Sequence, residues 1–90
     1  MSNVFFKKND KIFQEISLSD ATPQKQYVIT RCLIPNPTKL RLYEMGLTPN
    51  ATVIVTKQAP LGDPIEIQII GYTLCIRKQQ AKYFVVKEIT

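Results

Sequence analysis

Apolar and polar residues alternate most clearly over residues 65–70, where isoleucines at every second position are separated by Glu66 and Gln68. Successive side chains of a β-strand point to opposite faces, so this pattern predicts a strand with one buried and one solvated face. Other runs rich in β-branched and aromatic residues predict four more strands. These strands cover residues 26–34, 52–58, 73–77 and 83–89.

One short helix is predicted over residues 39–45, and a further helical turn is predicted over residues 78–82. Thr38 is expected to cap the helix by accepting a hydrogen bond from a free backbone N–H of the first turn. Gly46 is expected just beyond the helix end with a positive φ, and Leu47 is expected to pack back on the last turn. Seven residues are too few to form a stable helix alone, so tertiary packing must hold it.

The segment before the first predicted strand is the least patterned part of the chain. Ile12, Phe13 and Ile16 lie at helical spacing, which favours one or two turns of helix. The alternative is a docked or frayed extension. We therefore predict an N-terminal extension over residues 1–16 and one domain over residues 17–90.

These elements predict a mainly β domain of about five short antiparallel strands with one or two short helices. Short strands separated by turns, at spacings of about 8–12 residues, are typical of a small barrel. A barrel also removes the exposed sheet edges that otherwise promote aggregation. The chain has 90 residues, which is enough for one domain of this kind.

The composition argues against an enzyme. The chain has no histidine, which excludes Ser-His-Asp and Cys-His catalytic groups and removes the commonest metal ligand. Cys32 and Cys75 are the only cysteines, too few for a zinc site with four thiolates. They could meet across strands, but two small, half-buried apolar residues are the favoured interpretation. No Walker A or GxGxxG motif is present.

Metal ions and nucleic acid are two ligand classes that the composition does not exclude. Asp63 and Glu66 are close in sequence, but two carboxylates without histidine make a weak metal site, and a turn-forming Asp with a solvated Glu is the simpler interpretation. The net charge of +5 is compatible with nucleic acid, and Tyr72 and Tyr83 are near the basic C-terminal segment. No aromatic-rich strand or Arg/Lys run supports such binding. A solvated basic face, or one that meets an acidic protein or membrane surface, explains the charge as well.

No membrane insertion is expected, because the longest apolar runs fall far short of the about 20 residues that a membrane-spanning helix needs. The first eight residues lack the apolar region of a secretory signal. A reducing, cytoplasmic location is therefore predicted.

Three motifs in the segment 40–81 occur in a recognisable order and spacing: EMGLTP from Glu44, APLGDPIE from Ala59, and Gly71-Tyr72 followed by Leu74, Arg77-Lys78 and Ala81. Together they resemble the FeoA family, the small cytoplasmic component of bacterial ferrous iron uptake. Asn50 and Gln80 depart from that pattern, where the family usually has Gly and Glu. Asn is the next-best residue for a positive φ, so the turn at Asn50 should be retained.

The resemblance implies an SH3-like barrel without a catalytic function or cofactor. It implies an accessory or regulatory protein that binds the cytoplasmic part of a FeoB-type permease with a G domain. The alternative is a small basic barrel that acts as a nucleic-acid-binding or metal-sensing module. Whether iron binds directly is left open.

Leu61 suggests where a partner binds. It lies on a loop that Pro60 and Pro64 stiffen, and the turn itself does not need an apolar side chain there. Leu61 is either an anchor for a partner or folds back over the end of the barrel. The hypothesised surface contacts the permease or a second copy of the chain. It consists of Leu47, Leu61, Gly62, Asp63, Pro64 and Tyr72.

Overall fold

The computed structural model describes residues 14–58 and 60–89. In this part of the chain the strands are β1 (Glu15–Ser17), β2 (Gln26–Cys32), β3 (Thr52–Gln58), β4 (Ile65–Ile69), β5 (Tyr72–Ile76) and β6 (Phe84–Glu88). The α-helices are α1 (Thr38–Glu44) and α2 (Lys78–Ala81), and a 3-10 helix (Leu18–Asp20) follows β1. All strands join one antiparallel sheet in the order β1-β6-β2-β3-β4-β5. The mainly β fold predicted above is confirmed.

Alternate side chains of the strands build a single core. Ile65, Ile67 and Ile69 are buried on the inner face of β4, whereas Gln68 between them is exposed. Apart from Tyr27, which belongs to the core, no polar or charged side chain of the described residues is buried. The largest fully buried side chains are those of Phe84, Leu18, Ile29, Leu47, Ile65, Ile67, Val53, Val55 and Val86. Burial of apolar area at these positions is the main force that holds the sheet in this shape.

The C-terminal end of α1 has the predicted Schellman geometry. Gly46 has a φ of 104°, which residues with a Cβ rarely adopt. The N–H of Leu47 donates to the carbonyl of Leu42 at 3.1 Å, and the N–H of Gly46 donates to the carbonyl of Tyr43 at 2.9 Å. Leu42 and Leu47 both belong to the core cluster, so this ending also directs the chain back into the interior.

The predicted capping role of Thr38 is wrong. Thr38 is the first residue of α1, and Pro37 occupies the cap position without a side-chain hydrogen bond. Backbone carbonyls replace the expected hydroxyl: the N–H of Lys39 donates to Pro35 at 3.2 Å, and the N–H of Arg41 donates to Pro37 at 3.2 Å. The turn before the helix therefore already satisfies these donors, which removes the need for a side-chain cap.

The sheet has six strands, one more than predicted, because β1 precedes the segment where the first strand was expected. Ile16 lies in β1, opposite Val86 of β6, so it is not part of a helical turn. The Ser17 hydroxyl fixes the end of β1 by donating to the carbonyl of Lys82 at 2.9 Å. Ile12 and Phe13 lie outside the described residues. The domain boundary between residues 16 and 17 stays a prediction, although β1 crosses it.

Both cysteines are free. Cys32 is buried in the core, as a small apolar residue would be, whereas Cys75 is exposed on β5 and is therefore not half-buried as expected.

In residues 14–58 and 60–89, no helix has the length and apolar character needed to cross a membrane.

Candidate interaction surface

The loop between β3 and β4 presents an exposed apolar side chain. Leu61 is 95% exposed, more than any other large apolar residue in the described part of the chain. The alternative in which Leu61 folds back over the end of the barrel is therefore wrong. A fully exposed leucine gains nothing for the folding of its own chain, so its side chain is free to enter a pocket of another molecule.

Asp63 attaches this loop to α2. A carboxylate oxygen of Asp63 accepts a hydrogen bond from the backbone N–H of Lys78, with a separation of 2.9 Å. Lys78 is the first residue of α2, and Arg77 before it supplies no side-chain cap. Gly62 has a φ of 84°, and a Cβ built on it would lie 3.9 Å from the Lys78 ammonium nitrogen. Asp63 therefore supplies the helix cap from a distant part of the chain and holds the loop in place.

Leu47 does not belong to an exposed surface, and its inclusion there is corrected. Its exposed fraction is 0%, because the Schellman ending of α1 places it in the core. Leu47 therefore acts through packing alone.

Tyr72 lies apart from the loop. Tyr72 pairs with Ile69 at the turn of the β4–β5 hairpin, whereas Ile65, next to Pro64, pairs with Ile76 at the other end. Four residues of strand separate the two ends by about 13 Å along the hairpin. The Tyr72 hydroxyl donates to the carbonyl of Met45 at the end of α1. The structure thus brings together residues 61–64 and separates them from Leu47 and Tyr72.

The carboxylates named as weak metal ligands have other partners. Glu66 accepts a hydrogen bond from the Thr56 hydroxyl at 2.7 Å, and Asp63 accepts one from the Lys78 backbone. The described residues contain no group of three or more His, Cys, Asp or Glu side chains placed to hold a metal ion. The interpretation of Asp63 as a loop residue agrees with its hydrogen bond.

A second surface feature was not predicted from the sequence. A pocket of about 550 Å³ lies between the segment that leads into α1 and the segment that contains α2, and we call it the α1–α2 groove. It is lined mainly by residues 33–35, Arg77, Gln79, Gln80 and Tyr83. The N–H of Leu33 donates to the carbonyl of Tyr83 at 2.8 Å, which joins the two walls. In the sequence, the groove is marked by a concentration of positive charge in the two segments that form it.

Comparisons with known proteins agree with this fold. The model of the FeoA domain family matches residues 16–88. The solution structure of FeoA from Chlorobium tepidum is 29% identical with a TM-score of 0.79, over 83% of this chain and 71% of that one. The crystal structure of an iron uptake regulatory protein, FeoA, is 30% identical with a TM-score of 0.73, over 84% of this chain and 99% of that one.

A third structure names the fold. FeoA from Stenotrophomonas maltophilia in complex with zinc is described as a prokaryotic SH3 domain protein and a candidate activating factor of bacterial ferrous iron transport. It is 25% identical with a TM-score of 0.68, over 79% of this chain and 88% of that one. No curated protein sequence is significantly similar. Because the family model covers most of the domain, and solved FeoA structures share its fold, the chain belongs to the FeoA family.

Proposed function

We propose that this chain is a non-enzymatic accessory protein of bacterial ferrous iron uptake, which binds the cytoplasmic part of a FeoB-type permease through the loop at residues 60–64. Membership of the FeoA family supports the link to ferrous iron transport. The observation that carries the proposed contact is the 95% exposure of Leu61 on a loop that is anchored to α2.

The anchoring makes this loop suitable for binding. A loop that is already fixed loses little conformational freedom when a partner binds, so more of the contact energy appears as affinity. Asp63 provides the fixation at 2.9 Å from the Lys78 nitrogen, and Leu61 supplies the apolar side chain two positions earlier. The surface proposed here therefore consists of residues 61–64, without Leu47 and Tyr72.

The test compares two charge substitutions at exposed apolar positions. Leu61→Glu should abolish co-purification with the FeoB-type permease of the same bacterium and reduce ferrous iron uptake to the level without this protein. Ile70→Glu is the matched control, because Ile70 is 86% exposed at the far end of the β4–β5 hairpin. It should leave both measurements unchanged.

Both substitutions replace side chains that contribute little to the core, so both variants should fold, which circular dichroism will verify. Unchanged permease binding and iron uptake with Leu61→Glu would overturn the assignment of this surface. Equal losses with Ile70→Glu would show that the effect is not specific to the loop.

A further inference from the structure

The α1–α2 groove combines apolar walls with a cationic side chain. Its apolar part comes from residues 33–35 and Tyr83, and Leu33 and Tyr83 are 58% and 43% exposed. Arg77 lines the same pocket, and Gln79 and Gln80 add amide groups that can donate and accept hydrogen bonds. Four of the eight lining residues are polar or charged, so this pocket of about 550 Å³ has the size of a ligand site and a mixed apolar and polar lining.

The net charge of the chain is concentrated in the segments that form this groove. Residues 33–41 contain Lys39 and Arg41, residues 77–83 contain Arg77, Lys78 and Lys82, and neither segment contains an acidic residue. The seven other basic residues of the chain are balanced by all seven acidic residues. When Glu44 at the end of α1 and Asp63 at the start of α2 are counted as well, these parts of the chain still carry a net charge of +3.

The groove cations are also not neutralised by ion pairs with other described residues. The ion pairs found among the described residues join Lys25 to Glu88 at 3.4 Å and Arg31 to Glu15 at 3.7 Å, and none of these four residues lines the groove. The Lys82 ammonium lies 5.7 Å from the centre of the Tyr83 ring, a cation–π contact that keeps a positive charge beside the pocket. A net positive charge beside a partly apolar pocket attracts ligands of opposite charge.

We propose that the α1–α2 groove binds an acidic peptide segment that carries large apolar side chains. The carboxylates of the peptide meet Arg77 and the neighbouring lysines, and its apolar side chains enter the pocket between residues 33–35 and Tyr83. Such a peptide complements both the positive charge and the apolar surface of the groove. The site is separate from the Leu61 loop, so it defines a second interaction surface rather than part of the permease contact proposed above.

Nucleic acid fits the same charge but not the same pocket. Proteins that bind single strands place several aromatic rings along a basic groove, where successive bases stack. Tyr83 is the single aromatic residue among the described residues that line this pocket, and the other walls consist of aliphatic, proline, threonine and amide side chains with one arginine, Arg77. Side chains of a peptide complement such walls better than bases and phosphates do.

The first experiment identifies the ligand chemistry without assuming a sequence. Short random peptides displayed on phage are selected against the full chain, and the enriched peptides are sequenced. We expect a net negative charge and at least one large apolar residue in each. NMR chemical-shift mapping with an enriched peptide should place the largest changes at residues 33–35 and 77–83. No enrichment, enrichment of neutral or basic peptides, or shifts elsewhere would overturn the proposal.

The second experiment uses matched variants and the same enriched peptide. Arg77→Gln should weaken its binding by about fivefold, because it removes an attraction between opposite charges at the site. Lys57→Gln removes an equal charge from exposed β3 and should leave the affinity unchanged. Leu33→Ser should also weaken binding, with Ile70→Ser as its control. If Lys57→Gln weakens peptide binding as much as Arg77→Gln, the peptide does not bind in the groove. The same conclusion follows if Ile70→Ser weakens binding as much as Leu33→Ser.

Competition separates the peptide from the nucleic acid. Binding of the peptide should weaken with rising salt and should resist displacement by an equal concentration of oligothymidylate. Displacement by the oligonucleotide would identify a nucleic-acid site and overturn the proposal. Leu61→Glu should leave peptide binding intact, so failure of the permease contact and failure of the groove proposal give different results.

Discussion

The carboxylate of Asp63 caps a helix that begins fifteen residues later in the chain, through a 2.9 Å hydrogen bond from the backbone N–H of Lys78. Helix α2 has no cap of its own, since Arg77 makes no side-chain hydrogen bond there. A carboxylate at the start of a helix satisfies a free N–H donor and also interacts favourably with the helix dipole. One side chain thus stabilises both the loop and the helix.

Asp63→Ala should lower the free energy of unfolding by about 1 kcal/mol, the usual cost of removing a helix cap. Asp63→Asn should retain most of the stability, because the amide oxygen still accepts the hydrogen bond. Urea denaturation followed by circular dichroism measures both. Asp20→Ala is the control, since Asp20 is exposed and makes no side-chain hydrogen bond with the described residues. An equal loss for the two alanine variants would contradict the capping role.

Gly46→Ala should destabilise the protein more than Gly71→Ala. Both glycines have a positive φ, so each substitution costs about 1 kcal/mol for the backbone alone. A Cβ at Gly46 would also collide with the Tyr72 hydroxyl, whereas nothing lies within 4 Å of a Cβ at Gly71. Tyr72 is 47% exposed and can turn aside, so we expect a total loss between about 1 and 2 kcal/mol at Gly46.

A double-mutant cycle isolates the collision. In a Tyr72→Phe background the hydroxyl is absent, so the cost of Gly46→Ala should fall toward that of Gly71→Ala. Thermal denaturation of the single and double variants gives the interaction energy. Purely additive effects would show that the contact between Gly46 and Tyr72 has no energetic role.

Tyr27→Phe should lower the free energy of unfolding by about 1 kcal/mol. Tyr27 is 2% exposed, and its hydroxyl accepts a hydrogen bond from the backbone N–H of Thr22 at 2.9 Å. The substitution leaves this donor without its partner while the ring packing is retained. Tyr43→Phe is the matched control, because the Tyr43 hydroxyl makes no hydrogen bond with the described residues, and it should be nearly neutral.

The two thiols should differ in their reactivity. Cys75 is exposed on β5 and Cys32 is buried, so a thiol reagent should modify one cysteine quickly in the folded protein and the second after denaturation. Cys75→Ser should abolish the fast reaction, whereas Cys32→Ala should leave it. Two fast thiols in the native protein would contradict the buried position of Cys32.

Local patterns account for the parts of the fold that the sequence predicts well. The alternation at Ile65, Ile67 and Ile69 predicts β4, and Gly46 followed by Leu47 predicts the end of α1, since both signals act within a few residues. Strand β1 has three residues, too few for a period, and it forms because Ile16 pairs with β6. Thr38 fails as a cap because the preceding prolines supply backbone acceptors.

The candidate site is less predictable, because exposure depends on tertiary packing. Leu47 and Leu61 are both leucines next to turns, yet one is fully buried and the other almost fully exposed. The distance between Tyr72 and the loop follows from the register of the β4–β5 hairpin, which the motif order does not reveal. The groove joins segments about forty residues apart in sequence. The one local feature that marks both segments is an excess of basic residues.

The bond between Asp63 and Lys78 also links the two surfaces of the protein. Helix α2 contributes to the groove on one side and holds the loop of Leu61 on the other. A ligand that displaces α2 must either carry the loop with it or break this bond. A groove ligand that displaces α2 therefore changes the affinity at the loop, and by thermodynamic reciprocity a partner on the loop changes the affinity for that ligand by the same factor.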